Sequence, residues 1–253
     1  MPTVLIEKQS AKVTIITLNR PDRRNALNVE LMNEFIAALK VASDEAHERV
    51  LIIRGAGSSF CAGLDLKAAT PQNAQATAEM VAKTLLALSQ TPLITIAAVH
   101  GAAVAGGAGI MSACDFVVAA ERTKIGYPEV RRGLVPGLVM TFLRRQVRER
   151  AIRELLFSGE IIDAARAREI GLVNRVVPAA EVMKEAQKFA DSVVQGAPGA
   201  LVRTKRLIEE LWSSSVEKDI DLALKYHMNA RDSAEGREGI AAFNEKRPPK
   251  WTE

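Results

Sequence analysis

Residues 92–119 read PLITIAAVHGAAVAGGAGIMSACDFVVA: an apolar run, a stretch dense in glycine, and a second apolar run. The first run, LITIAAV, follows Pro92 and carries β-branched side chains, the mark of a buried strand. Gly106, Gly107 and Gly109 then suit a tight turn that opens a helix through Ala113, and Phe116 to Ala119 resumes as strand. Thr91 to Cys114 holds no charge beyond that of His100 and is long enough to cross a bilayer, so a membrane span is the competing reading. His100 and the glycines at 101, 106, 107 and 109 make the segment weakly lipophilic. We therefore read it as strand, turn and helix start, and expect no membrane association.

The same alternation runs outward from there. Val4 to Glu7 and Val13 to Leu18 read as an opening hairpin, broken by Asn19-Arg20-Pro21-Asp22. Asn28 suits an N-cap, and Leu31, Phe35 and Leu39 repeat at helical spacing behind it. Val50 to Ile53 reads as a buried strand, followed by the loop Gly55-Ala56-Gly57-Ser58-Ser59 and a helix over Ala76 to Gln90. Downstream, the pattern predicts a helix from about Val139 to Ser158, another over Asp163 to Glu169, and a strand over Val173 to Val177. Repeated strand-then-helix units predict an α/β fold. From Glu181 the chain reads as mostly helical, interrupted at Gly196-Ala197-Pro198-Gly199 and ending in NEKRPPKWTE.

Composition agrees with a folded globular protein. The 253 residues are 48% hydrophobic and 25% charged, which excludes a wholly disordered, collagenous or coiled-coil chain. A net charge of +4 makes no large basic face, so nucleic acid is not an expected partner. Cys61 and Cys114 stand far apart with no CxxC, which suggests neither a disulfide framework nor a zinc site and fits a reducing, cytoplasmic setting. MPTVLIEKQS lacks a basic region followed by a long apolar one, so no secretory signal is expected.

Several chemistries lose their support at the level of motifs. Gly55-x-Gly57 follows a strand, but Phe60 stands where a dinucleotide fingerprint needs its third glycine. Neither a phosphate-binding P-loop nor a GxSxG nucleophile elbow occurs. His47, His100 and His227 are scattered and read as structural or solvated. What remains is a pair of small-residue turns, Cys61-Ala62-Gly63-Leu64-Asp65 and Ala105-Gly106-Gly107-Ala108-Gly109, each placed after an apolar strand. Glycine lets backbone approach a ligand, and an exposed N–H there can hold a developing oxyanion. The spacing equally suits glycines that merely allow tight helix-on-sheet packing.

At this point the chain resembles the crotonase, or enoyl-CoA hydratase/isomerase, superfamily. The resemblance runs almost end to end, through Ile16-Thr17-Leu18-Asn19-Arg20-Pro21, Asn25-Ala26-Leu27-Asn28, Ser59-Phe60-Cys61-Ala62-Gly63-Leu64-Asp65-Leu66 and Ala98-Val99-His100-Gly101. It continues through Ala113-Cys114-Asp115, Tyr127-Pro128-Glu129-Val130, Gly133-Leu134-Val135-Pro136, Gly171-Leu172-Val173-Asn174-Arg175-Val176-Val177 and Phe243-Asn244-Glu245-Lys246-Arg247. The resemblance implies an α/β crotonase (ClpP-like) spiral of ββα units over residues 1–195, holding an acyl-coenzyme A. Residues 196–253 would form a C-terminal helical region that builds a homotrimer, or a hexamer as a dimer of trimers, and closes the coenzyme site.

By position, the resemblance makes the amides of Leu64 and Gly106 the oxyanion hole for the thioester oxygen. It places the coenzyme near Arg24, Ala26, Ala62, Asp65 and Leu66, with Phe243 and Lys246 approaching from the tail. No metal or redox cofactor is implied, coenzyme A being part of the substrate.

The carboxylates depart from the family pattern. The familiar hydratase carries two glutamates; here the later one is Glu129 and the earlier position is Gly109. One carboxylate can remove a proton and return it elsewhere, which favours a shift of 3-enoyl to 2-enoyl-CoA. The segment Val104 to Ile110 with Pro128-Glu129-Val130 also resembles a bacterial branch that hydrates branched, carboxylated enoyl-CoAs such as 3-methylglutaconyl-CoA. Members of that branch carry glycine at the first glutamate position too, so hydration of a 2-enoyl-CoA is the leading expectation and isomerisation the alternative. Thioester hydrolysis, decarboxylation and a non-catalytic scaffold follow. Gly137-Leu138-Val139-Met140-Thr141-Phe142 either reshapes the acyl pocket or starts a core helix, and Tyr127 is a candidate to offer the site a hydroxyl.

Overall fold

Strands β1 (Val4–Ser10) and β2 (Val13–Leu18) form the expected antiparallel hairpin, with Val4 opposite Leu18. The computed structural model describes residues 1–45, 47–68 and 71–252; of the charged tail, Glu253 lies outside the described residues. β1 buries only Val4, as suits an edge strand, whereas β2 is buried along its whole length. Asn28 caps helix α1 (Val29–Asp44), its side chain accepting the Leu31 N–H at 3.0 Å, and Leu31, Phe35 and Leu39 are buried as their spacing requires.

There follow β3 (Val50–Gly55), α2 (Ala74–Gln90), β4 (Ile94–Val99), β5 (Ala102–Val104), α3 (Gly106–Ser112), β6 (Phe116–Ala120) and β7 (Lys124–Gly126). A 3₁₀ turn, Pro128–Arg132, leads to α4 (Gly137–Gln146), α5 (Glu149–Ser158), β8 (Ile161–Asp163), α6 (Ala164–Glu169) and β9 (Arg175–Val177). Helices α7 (Val182–Val193), α8 (Pro198–Glu210), α9 (Val216–Arg231) and α10 (Ala234–Glu245) complete the described chain.

The larger sheet runs β1-β2-β3-β4-β6-β9 and is parallel from β2 onward. Both of its faces are covered, which is why its strands read as unbroken apolar runs. Ile15, Val50, Ile52, Ile96 and Val118 pack with Val182, Ala186 and Ala190 of α7. Ile16, Leu51, Ile53, Ala97 and Val99 instead join the core containing Phe35, Leu85 and Met111 of α1, α2 and α3.

Three expectations are corrected. Strands β5, β7 and β8 form a second sheet that the sequence did not announce, because each is only three residues long and too short to display a period. The long helix expected from Val139 to Ser158 is two helices, parted by extended Val147 and Arg148. No glycine or proline marks that break; Gln146 instead ties the end of α4 to the Ser112 carbonyl at 3.0 Å, and Val147 turns inward. The expected strand from Val173 begins at Arg175, since the Leu172 and Val173 amides are spent on the Ala167 carbonyl at the end of α6.

The C-terminal helices sit over the core: α9 packs on α4 and α2, and α10 on the 3₁₀ turn at 128–132. Helix α8 buries no residue, yet Lys205 pins it to Asp115 and to the Leu93 carbonyl, both at 2.7 Å. Among the described residues no helix is long and apolar enough to cross a membrane.

Replacing Asn28 by alanine leaves the Leu31 amide uncapped and is expected to cost about 1 kcal/mol. In a thermal melt that loss reads as a drop in Tm of about 2–4 °C. An unchanged Tm would mean that the cap contributes nothing.

Candidate active site

The segment after β3 is held on both sides by backbone pairing. On one side the Cys61 N–H donates to the Ala102 carbonyl at 3.0 Å and the Val104 N–H to the Cys61 carbonyl at 3.1 Å. On the other, the Leu27 N–H donates to Gly63 O at 2.8 Å and the Asp65 N–H to Leu27 O at 2.9 Å. Leu64 lies between these pairs, so the course of its backbone is fixed by two neighbouring strands of chain. Asn25 holds the preceding loop, its amide nitrogen donating to the Ala56 and Ser59 carbonyls at 2.9 and 2.7 Å.

The two glycine turns touch. Gly63 has φ +90°, and a Cβ there would stand 2.7 Å from Val104 O and 3.3 Å from Gly106 N. A Cβ on Gly107 would meet the Cys61 carbonyl oxygen at 2.2 Å. A Cβ on Gly106 would lie 3.7 Å from Leu64 N. The amides of Leu64 and Gly106, placed far apart in the chain, are thus neighbours on the wall of one cavity.

Glu129 lies on the same cavity. It sits in the 3₁₀ turn opened by Pro128, is 8% exposed, and its Oε2 has no hydrogen-bond partner. Burial pushes its pKa up to about 7, opposed by its own backbone N–H and by the charge of Arg132. Arg132, His227 and Arg231 line the cavity as well, together with Phe243. Burial lowers the pKa of His227, whose Nδ1 is 3.4 Å from Val135 O, and so favours the neutral ring.

Of the residues singled out in the sequence, Glu129, Leu64, Gly106, Ala62, Leu66 and Phe243 come together around this cavity. Arg24 and Lys246 are exposed and do not line it; Ala26 is half-buried beside it in the chain, its carbonyl taken by Arg20. Asp65 is turned to Arg20, which pairs with it at 3.2 Å. Tyr127 is corrected: it is fully buried, its hydroxyl lies 2.6 Å from Ser112 Oγ, and it is absent from the cavity wall. A phenol packed in the core satisfies its hydroxyl locally. His227 is corrected in the opposite direction, from a structural or solvated residue to a cavity residue. Arg132 and Arg231 went unmarked, because no local pattern reports that α10 folds back over the turn at 128–132 or that α9 brings Arg231 to the same cavity.

The departure at Gly109 has a physical counterpart. A Cβ there would lie 2.7 Å from Val139 Cγ1 and 3.5 Å from Leu85 Cδ1. The space a side chain at 109 would need is filled by α4, whose Leu138 and Val139 are both core residues and cavity lining. The 137–142 segment thus starts a helix of the core and also lines the cavity.

Comparison with known proteins places this architecture. The family model for enoyl-CoA hydratase/isomerase matches residues 8–253. The enoyl-CoA hydratase EchA19 of Mycobacterium tuberculosis is 34% identical over 257 residues, covering 99% of this chain and 96% of its own. The enoyl-CoA isomerase/hydratase fer4 of Mycosarcoma maydis is 33% identical, with 94% and 91% of the two chains covered. The crystal structure of carnitinyl-CoA hydratase from Mycobacterium avium superposes with a TM-score of 0.88 at 31% identity, covering 99% and 98%. The layered α/β architecture with its touching turns is that of a crotonase-fold protein. The chain belongs to the enoyl-CoA hydratase/isomerase family.

Because Val139 occupies the space in front of Gly109, Gly109→Glu alone is expected to overpack this wall, costing about 1–3 kcal/mol in a denaturant melt. Pairing it with Val139→Ala recovers part of that loss. Equal stability of Gly109→Glu and the unaltered protein would show that the wall yields freely.

Proposed function

We propose that this protein adds water to a 2-enoyl-CoA, passing through an enolate held by the amides of Leu64 and Gly106, with Glu129 carrying the proton from the water to C2. The observation that carries the reading is Glu129: a buried carboxyl with one unpartnered oxygen, on the cavity wall that also bears those two amides. The thioester oxygen accepts from the two N–H groups, which favour the charge it gains as the double bond is attacked. The Glu129 carboxylate takes a proton from water as the water oxygen bonds to C3, and the electron pair of the double bond moves into the enolate. The protonated carboxyl then returns that proton to C2, giving the 3-hydroxyacyl thioester. A pKa near 7 suits a group that must accept and donate in one cycle.

Isomerisation is the second reading, favoured by Glu129 being the one glutamate or aspartate on the cavity wall among the described residues. There Glu129 would remove the proton from C2 of a 3-enoyl-CoA and return it to C4. Either reading takes coenzyme A from the substrate and calls on no metal or redox group.

The reading extends to assembly and setting. Helix α8 buries no residue but exposes Leu207, Ile208 and Leu211, which supports residues 196–253 as the region that joins copies into a trimer or a dimer of trimers. The core of residues 1–195 would carry the acyl-CoA site. Cys61 and Cys114 are buried free thiols, in keeping with a cytoplasmic location. Leu207→Asp together with Leu211→Asp is expected to lower the mass measured by light scattering toward that of one chain; an unchanged mass would remove α8 from the interface.

Glu129→Gln is expected to abolish loss of the enoyl-thioester absorbance while acyl-CoA binding persists, and undiminished turnover would sink the assignment. As the base is the ionised form, kcat/KM rises with pH through about 7. Stability moves the other way. The folded carboxyl keeps its proton to about 7 and the unfolded one loses it near 4.5, so burying Glu129 costs stability as pH rises through that window. Glu129→Gln should therefore show a Tm advantage above pH 7 that fades toward pH 4.5. An advantage independent of pH would refute that coupling.

A further inference from the structure

The guanidinium of Arg20 clasps the segment that carries the Leu64 amide. Its Nη1 donates to the Ala26 carbonyl, and its Nη2 lies 3.2 Å from Asp65 Oδ2. Leu27 and Leu64 form a parallel bridge, in which Leu27 O accepts from the Asp65 N–H at 2.9 Å and the Leu27 N–H donates to Gly63 O at 2.8 Å. Ala26 precedes one member of that bridge and Asp65 follows the other. One side chain therefore joins the two segments beside the bonds that flank Leu64. The pair is sheltered, with 17% of the Arg20 side chain and 16% of that of Asp65 exposed.

The turn that delivers Arg20 is strained. Arg24 and Asn25 follow one another at φ +50° and +55°, a left-handed conformation that costs energy for any residue with a Cβ. Such backbone persists where its surroundings over-determine it. The Arg20 carbonyl accepts from the Arg23 and Asn25 amides at 3.0 and 2.9 Å, and the Arg20 amide donates to Asn25 Oδ1 at 2.8 Å. The Ala62 amide donates to Arg24 O at 3.0 Å. These bonds and the guanidinium fork all tie the turn to one stretch of chain, Ala62 to Asp65.

Charge adds to reach. Asp65 is the residue after Leu64, and a bare carboxylate there would oppose negative charge gathering on an oxygen held by the Leu64 N–H. Paired with Arg20, that charge is answered before a ligand arrives.

We infer that Arg20, through its pair with Asp65, is a positioning residue for the oxyanion hole, fixing the Leu64 amide against the thioester oxygen without touching the ligand. The inference rests on the acyl-CoA reading above and deepens it. A planar guanidinium can serve a carbonyl and a carboxylate at once in fixed directions, which an ammonium cannot.

The test reads the carbonyl itself. Butanoyl-CoA labelled with carbon-13 at the thioester carbon can be neither hydrated nor isomerised. In the infrared difference spectrum of the full-length protein saturated with it, the C=O stretch should fall below its value in water, because two N–H groups polarise the bond. In Arg20→Met a large part of that fall should be lost, since only the Gly106 amide keeps its place. Arg20→Lys should lie between the two, the ammonium still pairing with Asp65 but not forking to Ala26. Calorimetry should show free coenzyme A binding all three proteins alike.

A purely structural Arg20 would lower Tm and leave the stretch of the bound ligand where it was. A wild-type stretch in Arg20→Met therefore overturns the inference, as does one in Arg20→Lys should the Met variant not fold. An equal loss of affinity for coenzyme A and butanoyl-CoA with the stretch unmoved would make Arg20 a coenzyme contact and also overturn it. In either case the hole itself survives. A wild type that does not bind butanoyl-CoA, or binds it with no fall in the stretch, removes the oxyanion hole and this inference together.

Discussion

The site depends on a short piece of backbone pairing. Cys61 runs alongside Ala102–Val104 as if it were one more strand, and Leu27 pairs with the opposite side of the same segment. These bonds bring the Leu64 and Gly106 amides to one wall, and they require the close approach that Gly107 permits against the Cys61 carbonyl. Backbone held in this way does not reorganise when charge appears on a ligand, which is the condition for hydrogen bonds to favour a transition state over its ground state. Cys61 itself contributes no reactivity: its thiol lies 3.1 Å from the Asn25 carbonyl, and burial pushes its pKa up to about 12.

Burial does opposite things to the groups around the cavity. It raises Glu129, lowers His227 and lowers Arg132, in each case because a charged form has been withdrawn from water. The C-terminal helices contribute, since α10 packs on the turn that carries Glu129 and Arg132 while α9 puts His227 and Arg231 on the cavity wall. One packing event therefore shuts the cavity, tunes the carboxyl and strips water from a guanidinium. The same helices supply Phe243, whose ring lies 4.4 Å from the Arg132 guanidinium carbon on the cavity wall.

Many of the residues that carry the family resemblance act as fasteners. Asn25 clips the loop at 56–59, and Asn28 caps α1. Asp115 accepts from the Thr95 amide and hydroxyl at 2.7 and 2.9 Å and is also gripped by Lys205. Asn174 accepts from the Val117 amide at 2.7 Å and donates its own N–H to the Val117 carbonyl at 2.9 Å. Such side chains were legible as motif positions, and their tasks were not, because each task is a bond to a segment remote in sequence. Asp65 and Tyr127 show the same limit: both stand within the motifs, and both spend their polar atoms on neighbours.

The sequence by itself determined the α/β alternation, the apolar core strands, the cap of α1 and the two glycine turns. These are local: period, propensity and backbone freedom act over a few residues and leave a readable pattern. Only the tertiary structure decided that the two turns interlace, that Val139 fills the space before Gly109, that α4 and α5 part at Val147, and that Arg132, His227 and Arg231 share the cavity with Glu129. Those outcomes depend on which apolar faces find each other across long stretches of chain. Burial, which pushes Glu129 and His227 toward their neutral forms, exists only once they have.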